Sequence, residues 1–334
     1  MSARIKLVVG TVISAACVWW AMREVRPAEV WDALRRADYR GFLALMGLTL
    51  LGFWIRAFRW RWLLSTPRPV SLDSLYSATM IGFMANNLFP LRVGEFLRAW
   101  ALGRREYLSK TTVFATVVVE RVVDMITLLA IFGVALLLHP ISASTEAGRL
   151  TSAGAGLLVL SCVGLTAFLV AIERSPRLLG ILVDKITRPL PERFGRRAVQ
   201  ALQQFVEGLG LFRDLPRLLW VFLLSFVMFL AFAMGLQVGM WALGLGVPWY
   251  GGLIMLVITA IGIMVPAAPG YVGTLNLACV AGLALFSVGK ERAVPFSWFY
   301  WAGQWLPVSL VGLYYLRREG LTLRSLGEAR ESVT

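Results

Sequence analysis

Long apolar runs, broken by short polar stretches, dominate the chain. They lie near residues 5–22, 41–63, 111–138, 151–172, 217–246 and 294–316, each close to the roughly 20 helical residues that cross a hydrocarbon core of about 30 Å. The pattern predicts six membrane-spanning helices. Two further apolar regions, 72–103 and 249–288, carry proline and glycine about midway, which leaves two arms too short to cross. Both are expected to be re-entrant hairpins, since broken backbone at membrane depth is tolerated only where protein covers it. The expected fold is an all-α integral membrane protein.

Composition agrees with that solvent. The 334 residues are 58% hydrophobic and 16% charged, with a mean hydropathy of +0.71, too apolar for a water-soluble globule of this length. Arg4 and Lys6 before an apolar run ending "SAAC" mimic a signal peptide with an attachment cysteine, but the run continues through "VWWAM", so the segment is expected to remain as a helix. Cys17, Cys162 and Cys279 all fall in apolar stretches and read as packed side chains.

Basic residues in short loops orient the chain. Segment 173–217 and the tail after 316 are arginine-rich and belong in the cytoplasm, as do both termini. Arg56, Arg59, Arg61, Arg68, Arg104, Arg105 and Lys110 fall on the same side if 72–103 enters from the cytoplasm and returns to it. The second hairpin then enters from outside, and loop 23–40, with five arginines and four acids, must also lie outside. The formal net charge of +14 is accounted for by one lipid-facing surface without nucleic acid. Apolar positions at helical spacing from Phe194 to Phe212, opposite Arg193, Arg196 and Arg197, predict an amphipathic connector over about 189–213.

The two interrupted regions are alike. "TMIGFM" at 79–84 matches "TAIGIM" at 259–264, and "PLRVG" at 90–94 matches "PGYVG" at 269–273. With opposite orientations in the membrane, they predict an inverted repeat, with halves at about 41–138 and 217–316 of one domain spanning 1–334.

Candidate chemistry concentrates in the first half. Arg92, Glu95 and Arg98 follow Pro90, while Glu120, Arg121 and Asp124 share the run "VVVERVVDM". Ionisable groups at such depth face a bundle interior or wet cavity and pair with one another. Arg98 or Arg92 is therefore expected to pair with Glu120 or Asp124, with an arginine available to an anionic headgroup. Asn86 and Asn87 add neutral polar groups, and the second hairpin offers Pro266, Pro269, Gly270, Gly273, Thr274 and Asn276 without charge. The lone histidine, His139, sits at the end of a run, and no nucleophile elbow, phosphate-binding loop or Cys/His cluster is present. No metal or cofactor is expected, because Arg121 competes for the one acidic pair that could hold a divalent cation.

The stretches "NNLFPLRVGEFLRA", "ERVVD", "PGYVGT" and "YWAGQWLPVSLVGL", the last contributing Gln304, resemble the lysylphosphatidylglycerol synthase transmembrane region, or flippase-like domain, also found in the multiple peptide resistance factor. The resemblance covers about residues 5–318. It implies a bacterial inner-membrane protein that moves lipids between leaflets: aminoacyl-phosphatidylglycerol in the best-known branch, lipid-linked sugars in others. Asn276 and Trp301 stand where many relatives have glutamate and histidine, which puts a substrate or proton role at those positions in doubt. The chain ends at Thr334, so the soluble aminoacyl transferase domain of the fused members is expected to be absent. The expected function is flipping of an anionic or polyprenyl-linked headgroup, the chain not being an enzyme. The alternatives are an integral-membrane transferase acting on a polyprenyl-linked substrate and a non-transporting partner of a lipid-biosynthesis complex. Anionic lipids, a separately encoded lipid-synthesising enzyme and a second copy of the chain are the candidate partners.

Overall fold

A computed structural model describes residues 3–23, 25–64, 69–89, 93–138, 214–264, 268–323 and 325–327, with isolated positions at 160, 163, 164 and 167. The expected span at 151–172, the amphipathic connector, His139, Cys162, Pro266 and Arg92 lie outside this description, apart from those isolated positions. Among the described residues there are helices and no strand.

The helices follow the apolar runs. Helix α1 is Ala3–Met22, the short α2 is Pro27–Arg35, and α3 is Tyr39–Leu63. Then come α4, Leu72–Leu88, and α5, Gly94–Arg105, packed against each other across the break at 89–93, and α6, Lys110–Leu138. After the undescribed segment stand α7, Leu215–Ala242, α8, Gly251–Met264, a 3₁₀ turn at Pro269–Tyr271, α9, Thr274–Ala284, and α10, Lys290–Arg318. Helices α3 and α7 are long and apolar enough to cross a membrane by length and composition. At 20, 29 and 29 residues, α1, α6 and α10 also reach the required length.

Helix ends are set by local chemistry. The Asp38, Ser71 and Asp214 side chains accept backbone N–H groups in the first turns of α3, α4 and α7, satisfying donors that would otherwise be orphaned. Pro216 occupies the first turn of α7, where its missing N–H costs nothing. At the broken ends, side-chain amides do the same work. The Asn86 carbonyl oxygen accepts from Gly94 N at 2.8 Å, and that of Asn276 from Gly273 N at 3.0 Å.

The order of elements recurs. A long helix, a broken helical pair and a second long helix occur as α3, α4–α5, α6 and again as α7, α8–α9, α10, and the closing helices are both 29 residues long and begin 180 positions apart. The turns before them match in detail. Tyr107 and Ser287, also 180 apart, hold positive φ of 55° and 56°, and the next residues donate to Gly103 O and Leu283 O. Helix α3 packs along α7 through Leu45, Phe53, Phe232 and Leu236. On the far side of α7, Leu219, Leu223, Val227, Leu230 and Met234 form an exposed apolar stripe at helical spacing. Such a stripe suits hydrocarbon rather than water.

Candidate functional site

Three helices bring charge to one buried point, and a fourth adds a hydroxyl. Glu120 and Asp124 lie one turn apart on α6, about 15 Å along the helix from Lys110 at 1.5 Å per residue. Arg56 and Arg59 reach them from α3 and Arg98 from α5. Arg56 Nη1 lies 2.5 Å from Glu120 Oε1 and 3.0 Å from Asp124 Oδ2. Arg59 contacts Asp124 Oδ1 at 2.5 Å and Glu120 Oε1 at 3.2 Å, and donates to the Ser225 hydroxyl of α7. Arg98 Nη1 stands 2.9 Å from Glu120 Oε2. Arg121 pairs with Glu95 at 3.0 Å and lies 3.6 Å from Asp124.

The expected pairing of Arg98 with Glu120 is thus present. Arg56 and Arg59, counted above only among the basic residues of the cytoplasmic side, are buried against the acids of α6, at 5% and 0% exposure. They follow an apolar run and are three residues apart, so they share a face; the signal available to sequence was the i, i+3 spacing on the helix. Trp60, also overlooked, lies flat beneath Arg98, with the guanidinium carbon 3.7 Å from the ring centroid. Its indole N–H donates to Thr116, which fixes the ring that supports Arg98.

Among the described residues, Arg56, Arg59, Arg98 and Arg121 face Glu95, Glu120 and Asp124. All four oxygens of Glu120 and Asp124 lie within ion-pair distance of guanidinium groups, while Nε and Nη2 of Arg98, like Nε of Arg56, Arg59 and Arg121, are buried with no hydrogen-bond acceptor among the described residues. Unmet guanidinium donors in a dry setting are costly, so this edge suits an anion. It is a poor place for a metal ion. Glu95 and Arg121 form the partly exposed side of the cluster, their side chains 35% and 34% accessible.

The second broken pair meets this region with its tip. Tyr271 belongs to the 3₁₀ turn, which packs against α4. Beside it Gly270, at φ +71°, fits where a side chain would strike the Trp305 indole at 3.1 Å and approach Asn87 O. Trp301, itself stacked near Trp305, donates to Gly270 O at 2.9 Å, and Asn87 donates to Ser309 at 3.0 Å. Pro269 lies in this turn, and the Thr274 hydroxyl leans back on Tyr271 O at 3.4 Å.

Not every expected residue joins the cluster. Asn276 is committed to Gly273 N and the Ser297 hydroxyl, a role in closing the break at the start of α9. Gln304 donates to the Tyr300 hydroxyl on its own helix. Asn86 is tied to Gly94 as described. These three stabilise backbone and helix faces, whereas Glu95, Arg98, Glu120, Arg121 and Asp124 come together.

The chain is 29% identical over 218 residues to a UPF0104 membrane protein of Methanothermobacter thermautotrophicus, covering 60% of this chain and 61% of that one. It is also 27% identical over 134 residues, 40% of its length, to 22% of glycosyltransferase AglD from Haloferax volcanii. It therefore spans less than two thirds of either relative. The family described as the lysylphosphatidylglycerol synthase TM region matches residues 7–312. That match runs from α1 almost to the end of α10 and takes in every helix that builds the charge cluster, so the chain belongs to the lysylphosphatidylglycerol synthase TM region family of membrane proteins.

Proposed function

We propose that this protein moves an anionic lipid headgroup, of an aminoacyl-phospholipid or a polyprenyl-phosphate-linked sugar, between the leaflets of a bacterial inner membrane. In this reading six helices cross the bilayer with both termini in the cytoplasm, and the single domain spans 1–334. The α4–α5 and α8–α9 pairs enter from opposite sides as re-entrant hairpins of an inverted repeat. The observation that carries the reading is the cluster itself: four guanidinium groups against three carboxylates, with the unpaired edge of Arg98 buried among broken helices. A fixed surplus of guanidinium binds phosphate in a forked geometry and replaces part of the hydration a headgroup loses on leaving water.

The test is transport in vesicles of phosphatidylcholine carrying a trace of fluorescent phosphatidylglycerol, with quencher added outside. The native chain is expected to expose the inner-leaflet probe to quencher, and Arg98→Gln to stop this while remaining folded. Arg98→Lys should recover only part of the rate, since an ammonium lacks the fork. Full transport by an Arg98→Gln/Glu120→Gln pair would reduce the cluster to scaffolding.

The partial match to a glycosyltransferase favours one second reading, an integral-membrane transferase acting on a polyprenyl-linked substrate. It requires an activated donor, so transport without any donor decides between the two.

A further inference from the structure

A second set of charges closes the open end of the α4–α5 pair. Asp73 in the first turn of α4 meets Arg105 of α5 at 2.7 Å and Arg318 of α10 at 2.8 Å, and Arg105 also meets Glu319 at 2.7 Å. The Ser77 hydroxyl donates to Glu319, and the Tyr76 and Tyr315 rings meet edge to face at 5.8 Å. These contacts tie the mouth of the first hairpin to the end of the second half.

Against them lies a cavity of about 340 Å³ lined by Ala101, Arg104, Arg105, Tyr107, Arg318 and Glu319, with Leu321 at its edge. That is the low end of ordinary small-ligand cavities, which run from about 300 to 1,000 Å³. Three guanidinium groups line it; Arg105 and Arg318 are held by Asp73 and Glu319, which leaves Arg104 outside these ion pairs. Tyr107, which lines it, is 95% exposed and holds φ +55°, an uncommon conformation for a residue with a side chain. Ala101, buried and small, lies on α5 between Arg105 and Arg98. Arg98 and Arg105 are seven residues apart, hence on one face of α5, so the cavity's inner wall is one turn from the buried cluster.

We propose that this cavity binds a phosphoryl anion, which competes with Asp73 and Glu319 for Arg105 and Arg318. Occupation then loosens the mouth of the first hairpin from α10. Binding here stands by itself; that it delivers a headgroup to Arg98 rests on the transport reading above.

The experiment is calorimetric titration of the full chain in phosphatidylcholine nanodiscs with two probes, dihexanoyl-phosphatidylglycerol and inorganic phosphate. Binding of the lipid alone assigns supply from the leaflet, and binding of both assigns supply from water; either supports the site. Arg104→Gln/Arg318→Gln should weaken binding about tenfold or more by removing charge-assisted hydrogen bonds. Arg104→Gln alone, at an exposed position outside the ion pairs, should weaken it several-fold if the double variant does not fold. Asp73→Asn should strengthen binding by removing a competitor, whereas a mere staple would lose stability and gain no affinity. Arg98→Gln should keep this binding while losing transport, which separates failure of the site from failure of the transport reading. Absence of binding by either probe, or wild-type affinity in the arginine variants, overturns the proposal.

Discussion

Glu120 receives guanidinium groups from two neighbouring helices; if its charge were removed, Arg56 and Arg59 would keep Asp124, and Arg98 would keep no carboxylate among the described residues. Removing one partner from a buried ionic group costs about 3–5 kcal/mol. Glu120→Gln is therefore expected to lower the thermal midpoint sharply in detergent, and adding Arg98→Gln should recover most of the loss, since the two changes share a partner and do not add. A single variant as stable as the native chain would mean that water already screens the cluster. The α5–α6 half of this network was legible, because two acids one turn apart in an apolar run demand internal partners. Arg56 and Arg59 were not, because arginines in the last two turns of a span are equally explained by the rule that puts positive charge in the cytoplasm. What decides between those accounts is an acid on another helix, and no pattern within α3 contains it.

At the scale of elements, apolar runs gave α1, α3, α6, α7 and α10 to within a few residues, and proline with glycine marked both breaks. The match is close because a long apolar run can satisfy its backbone groups within its own segment only as a helix. What was not legible is how side-chain amides close the breaks, since Asn86 precedes its break and Asn276 follows its own. Asn276 looked like a site residue because polar groups in apolar sequence point to function, yet a broken helix needs the same amides for itself. The close packing of the first pair gives a direct test. A Cβ at Gly82 would lie 2.6 Å from Gly94 O and 2.8 Å from Arg98 Cβ, so Gly82→Ala must push α5 away and shift Arg98. The expected result is a loss of about 1–3 kcal/mol, as for overpacking elsewhere, together with slowed transport. Gly133→Ala in α6, where a Cβ meets open space, should instead be neutral or gain about 0.5–1 kcal/mol. Equal behaviour of the two variants would show that α4 and α5 are not held at this distance.

For the whole molecule, the recurring element order and the membrane together constrain topology. Two halves of the same element order can stand parallel or inverted, and the matching turns at Tyr107 and Ser287 report which, because both follow the second arm of a broken pair and precede a 29-residue helix. The parallel arrangement puts both turns on one side of the bilayer; the inverted one puts them on opposite sides. Arg104, Arg105 and Lys110 flank the first turn, and Lys290 and Arg292 follow the second, so local charge alone does not choose strongly between the arrangements. Both turn residues are exposed, which makes them suitable for labelling. With Cys17, Cys162 and Cys279 replaced by alanine, a cysteine at Tyr107 should react with an impermeant maleimide only in inside-out vesicles, and one at Ser287 only in right-side-out vesicles. Reaction of both from one side would remove the inverted repeat and, with it, the symmetry that lets a central site open to either leaflet in turn. Opposite-sided reaction with the two sides exchanged would keep the inversion and reverse the orientation, moving the mouth cavity at Arg104 and Arg318 to the outer surface. The expected pattern places that cavity against the cytoplasmic leaflet, where the negative surface potential of about −30 mV set up by anionic headgroups attracts basic protein groups, so that the arginines of the cavity lie against the phosphoryl groups of the leaflet itself.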